Sequence, residues 1–81
     1  MTRDEVMTKV REHLAEELEV EIDRIGEQTR FKEDLDADSL DLYELVMELE
    51  DRYRISISEE QAARIHSVGD AVDFVLQHAP A

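Results

Sequence analysis

The sequence predicts an all-α fold: a small four-helix bundle of three main helices and one short helix, with a long first loop. Three observations predict it. Apolar residues recur at helical spacing in separate segments, hydroxyl residues stand where helix N-caps belong, and no two segments alternate as a pair of strands would. A chain of 81 residues buries only about 60% of its unfolded surface, so residues 1–81 read as a single domain with one thin core.

The first helix opens with Thr2 and Glu5 at capping-box spacing, after which Val6, Val10, Leu14 and Leu18 recur every four residues. The pattern fades near Glu19. Val20 and Ile22 alternate like a strand, but one strand has no partner, so residues 19–38 read as a loop with Ile22, Ile25, Phe31 and Leu35 as core plugs. A loop of about twenty residues is unusual in a compact domain; it weighs against the assignment or for a function in the loop. The second helix runs from about Ser39 to Tyr53. On a helical wheel Leu42, Leu45, Val46, Leu49 and Tyr53 fall within one arc of about 100°, a core face. Leu40 and Met47 lie roughly 140–160° away beside Tyr43, flanked by Glu44 and Asp51, on a surface expected to face solvent. Ser58 and Gln61 form another capping-box pair, opening a short helix to about Ile65. Ser67 caps a last helix, Val68 to His78, with Ala71, Val72 and Val75 inward and Pro80 beyond its end.

Composition excludes several functions. The chain holds 22 acids against 9 bases, a net charge of −13, and no Cys. That charge repels nucleic-acid phosphates and anionic membrane surfaces and favours a basic protein partner. Without Cys there is no disulfide, no thiolate metal site and no thiol nucleophile of the chain's own. Met1 to Val10 has no apolar run to serve as a secretory signal, and no stretch approaches the roughly 18 apolar residues of a membrane span, so a cytoplasmic location is expected.

The acidity is local. Residues 33–51 hold nine acids (Glu33, Asp34, Asp36, Asp38, Asp41, Glu44, Glu48, Glu50 and Asp51) and no Lys or Arg. A solvated helix face explains Asp38 and Asp41, which complement the positive end of the helix dipole. It does not explain Glu48, Glu50 and Asp51 at the opposite end, where anions are unfavourable. A docking surface for basic partners accommodates both groups, with Leu40 and Met47 as apolar anchors inside a charged ring.

Other chemistry is weakly supported. Asp34, Asp36 and Asp38 fit the first three ligand positions of a calcium loop, but the obligatory Gly is Ser39 and the bidentate Glu is Leu45, so no metal site is expected. His13, His66 and His78 fall in separate segments with no nucleophile and orienting acid at readable spacing, so no catalytic residue is expected. Ser39 stands at a helix start, where its hydroxyl would ordinarily serve as the N-cap.

The stretch from Phe31 to Asp41, with Asp38-Ser39-Leu40 at its end, resembles the acyl carrier protein family, whose hallmark is Asp-Ser-Leu at the start of the second helix. The likeness continues through Glu44 to Glu50, Ile55 to Ile65 and Val68 to Phe74, covering nearly the whole chain. It implies a stand-alone, monomeric carrier rather than an enzyme. Ser39 would be esterified by 4′-phosphopantetheine, taken from coenzyme A by a phosphopantetheinyl transferase, and the arm's thiol would carry growing acyl chains as thioesters. The partners implied are fatty acid synthase enzymes with basic docking patches; polyketide or other specialised synthases are the alternative, and an unmodified acidic helical adaptor a more distant one. A helix N-terminus, with its unpaired N–H groups, suits a phosphodiester.

The same resemblance assigns transferase and partner recognition to Asp38, Leu40, Asp41, Glu44, Met47, Glu48, Glu50 and Asp51, extended by Ile57 and Glu59. It assigns the lining of an acyl cavity to Phe31, Leu49, Ile65 and Ala71. Three positions depart from the family, which commonly has Gly where this chain has Glu19, Asp36 and Arg54. Gly there permits φ > 0, which Asp tolerates better than Glu or Arg, so altered turns or strain are expected at Glu19 and Arg54.

Overall fold

In the computed structural model residues 2–79 are described, and the expected place of Pro80 beyond the last helix lies outside them. Helix α1 spans Arg3–Leu18; the Thr2 hydroxyl accepts the Glu5 N–H, half of the anticipated capping box. Of its i+4 row, Val6, Val10 and Leu14 are fully buried and Leu18 is half-buried. Helix α3, Ser39–Tyr53, and helix α5, Val68–His78, have the bounds expected of them. In α5 the Ser67 hydroxyl accepts the Asp70 N–H, and Val68, Ala71, Val72 and Val75 are fully buried. The short helix α4 covers Glu59–Ala62 behind a complete Ser58–Gln61 capping box. It stops before Ile65, which sits in the following turn as a buried plug. Helix α1 packs chiefly on α5 and then on α3, and among the described residues α4 has no comparably packed partner.

The long loop expected over residues 19–38 is shorter in fact. It contains a 3₁₀ turn, Ile22–Arg24, and a five-residue helix α2, Phe31–Leu35. A helix this short offers too few residues for periodicity to register. Backbone bonds to the start of α5 hold the connection in place: Phe31 N–H to His66 O at 3.0 Å, Val68 N–H to Thr29 O at 3.0 Å, and Gly69 N–H to Glu27 O at 2.8 Å. A Cβ at Gly69 would stand 3.0 Å from the Glu27 carbonyl oxygen, a tight contact that favours glycine at this approach. Ile25 and Phe31 are buried plugs as expected, whereas Ile22 and Leu35 are half-buried. Arg3 pairs with Glu27 and Asp73, joining α1, the connection and α5, although exposed pairs of this kind contribute little.

Three helices end on a left-handed residue: Glu19 at φ 56°, Asp36 at φ 54° and Arg54 at φ 55°. These are the positions where Gly is expected from the family pattern, and among the described residues no other non-glycine residue has positive φ. The backbone keeps the left-handed turn despite the side chains. Releasing that strain is expected to stabilise by about 1 kcal/mol at each of Glu19 and Arg54, or roughly 4–8 °C in melting temperature. Thermal melts of Glu19→Gly and Arg54→Gly test this, and unchanged melting would refute it; Asp36→Gly should gain less.

Candidate functional site

The site begins at the start of α3. Asp38, in extended conformation, is the N-cap: its carboxylate accepts the Asp41 N–H at 3.0 Å, and the Asp41 carboxylate accepts the Asp38 N–H at 3.1 Å. Ser39 is therefore the first helical residue and not the cap. Its exposed hydroxyl makes no hydrogen bond among the described residues.

Ser39 borders a cleft of about 560 Å³ between α3 and the segment that carries α4. Leu42, Leu45, Val46 and Leu49 form the α3 wall, Ile57, Ala62 and Ile65 the opposite wall, and buried Phe31 closes the cleft at depth. Exposed Ser39, Tyr43, Ser58 and Glu59 form its rim. The interior is apolar and the rim polar, an arrangement suited to an alkyl chain tethered at a polar end. Of the four residues assigned to an acyl cavity, Phe31, Leu49 and Ile65 line this cleft. Ala71 does not: it is fully buried in α5, whose main packing is against α1.

The recognition residues separate around α3. Leu40 and Met47 are exposed at 62% and 47%, as the wheel requires. Tyr43, 61% exposed, extends the same apolar stripe and also reaches the cleft rim, a dual position that the wheel alone did not single out. Glu44 and Asp51 face solvent beside the stripe, and Glu59 stands in the first turn of α4. Glu48 turns toward α1 and binds Arg52 at 3.0 Å. Glu50 is half-buried and accepts the Ile57 N–H at 2.8 Å, and Ile57 itself is buried in the cleft wall. Neither Glu50 nor Ile57 is therefore a free surface group. Two of the three acids that a solvated face left unexplained, Glu48 and Glu50, have partners within the protein.

Across the α1–α3 junction the carboxylate oxygens of Glu17, Asp41 and Glu44 lie within 4.8 Å of one another. Like charges so close repel, and screening relieves them. Millimolar magnesium is expected to raise the melting temperature at low salt, and Glu17→Gln to blunt that response. Equal melting with and without magnesium would count against it.

A family described as Phosphopantetheine attachment site matches residues 8–75. Acyl carrier protein from Rubrobacter xylanophilus is 43% identical over 81 residues, covering all of both chains. The chain belongs to the acyl carrier protein family. Acyl carrier protein from Lactobacillus acidophilus is 41% identical over 78 residues, 96% of this chain and 98% of that one. A solved structure of acyl carrier protein from Enterococcus faecalis superposes with a TM-score of 0.84 at 40% identity, covering 98% of this chain and 100% of that one. As a member of this family the protein carries acyl chains on a covalent 4′-phosphopantetheine arm, consistent with fatty acid synthesis. No helix among the described residues is long and apolar enough to cross a membrane.

Proposed function

We propose that Ser39 is the residue that bears the arm, and that residues 1–81 act as one monomeric, cytoplasmic, non-catalytic carrier domain presenting acyl chains to the enzymes of fatty acid synthesis. The observation that carries this reading is the Asp38 cap: because the Asp38 and Asp41 carboxylates accept each other's backbone N–H, the Ser39 Oγ is not used as the cap and is left free and exposed at the cleft rim. The residues fit the group. The N–H groups at the first turn of α3 suit a phosphodiester on Ser39, and the adjacent cleft suits the chain. When bound, the arm supplies a thiol that holds acyl groups as thioesters. Asp38 and Asp41 orient the helix start, and the Leu40, Tyr43 and Met47 stripe with Glu44, Asp51 and Glu59 offers apolar anchors among charges to a basic patch on the transferase or a synthase.

Mass spectrometry after incubation with coenzyme A and a phosphopantetheinyl transferase tests the assignment. The wild-type chain is expected to gain one phosphopantetheine mass, and Ser39→Ala none. A gain that survives Ser39→Ala would remove the proposal.

A further inference from the structure

The wall of the cleft opposite α3 is loosely tied. Between Ser56 and Ile65 every backbone hydrogen bond among the described residues closes within the segment, as do the Ser58–Gln61 capping box and the Glu60–Arg64 pair. The exception is the bond from the Ile57 N–H to the Glu50 carboxylate, at 2.8 Å. The segment's next ties flank it on either side: Ile55 N–H to Glu50 O at 3.3 Å and Phe31 N–H to His66 O at 3.0 Å. Everything else holding it is apolar burial of Ile57, Ala62 and Ile65 against the cleft that an acyl chain would enter. An incoming chain must part those very contacts. The Glu50 bond, whose two partners both line the cleft, joins the α3 wall to the opposite one and is the polar restraint on it. Such a bond, with a charged acceptor, is about twice as strong as a neutral one.

We propose that Glu50 is a positioning residue for the carried chain: its carboxylate latches the α4 segment to α3 and so sets how firmly the cleft closes over the chain. The inference rests on the reading that the chain folds into this cleft. It gives Glu50 a role different from the partner recognition expected of an acid on this helix.

The test uses the protein loaded with an octanoyl-phosphopantetheine arm from octanoyl coenzyme A, compared with the same protein carrying the arm alone. Two readouts are taken for wild type, Glu50→Ala and Glu50→Gln: the melting increment due to the octanoyl group, and the rate at which hydroxylamine cleaves the thioester. Subtracting the arm-only form within each variant removes any general loss of stability. Glu50→Ala is expected to lose at least half of the increment and to be cleaved about tenfold faster, the effect of roughly 1.4 kcal/mol on a closed-to-open equilibrium. Glu50→Gln, which keeps a neutral carbonyl oxygen for the Ile57 N–H and so about half the strength of the bond, should be cleaved only about threefold faster than wild type. A wild-type increment with an unchanged Glu50→Ala would overturn the latch alone. No increment in wild type would overturn the sequestration reading and the latch with it. Should Glu50→Ala not fold, amide exchange in the wild-type protein decides: the Ile57 N–H should be protected relative to the exposed Ser56 N–H, and equal exchange of the two overturns the latch.

Discussion

An octanoyl group on the arm is expected to raise the melting temperature by about 10–20 °C over the arm alone. Burying six methylenes at about 0.8 kcal/mol each gives roughly 5 kcal/mol if the chain leaves water completely. The cleft is open at its rim and its walls must part, so about half of that is a fair expectation. At roughly 4–8 °C per kcal/mol for a domain of this size, the shift is large against ordinary surface effects. Calorimetry of the two loaded forms measures it. A shift below about 2 °C would mean that the chain stays in solvent.

Truncating Phe31 is expected to have an effect of similar size and opposite sign. This side chain is 1% exposed and closes the cleft, and its backbone N–H binds His66 O across to the start of α5. Phe→Ala in a packed core typically costs about 3–5 kcal/mol, against a total stability of about 5–15 kcal/mol for a small domain. Phe31→Ala should therefore shift the urea midpoint sharply downward, while Phe31→Leu, which conserves most of the volume, should cost about 1–1.5 kcal/mol. A loss below about 1 kcal/mol in Phe31→Ala would show that the site collapses onto the gap.

The helices legible in the residues were those long enough to express a period or, like the short α4, opened by a capping box. Fifteen residues of α3 and eleven of α5 define a wheel, and both have the expected bounds. The five residues of α2 do not, and its start has no side-chain cap to betray it; instead the Asp34 carboxylate reaches back to the Arg30 N–H at 2.8 Å. At the candidate site the motif marked Ser39 but not the reason its hydroxyl is free. Asp38 and Ser39 are both good N-caps. Only the helix start observed, with the Asp38–Asp41 box, shows which of the two is consumed.

The acids draw the line most clearly. Composition and wheel position were enough to place nine acids in residues 33–51 and to leave Leu40 and Met47 facing outward among them. These are properties of a helix by itself. Whether a given acid is free depends on what stands opposite it. Glu48 and Arg52 are one helical turn apart, yet Glu48 also turns toward α1, while Glu50 meets Ile57 only because the chain reverses through the left-handed Arg54. Ala71 is the same case in the core, since an inward direction on α5 leads to α1 and not to the cleft. A helical wheel gives a side chain's direction, and packing alone decides what it meets there.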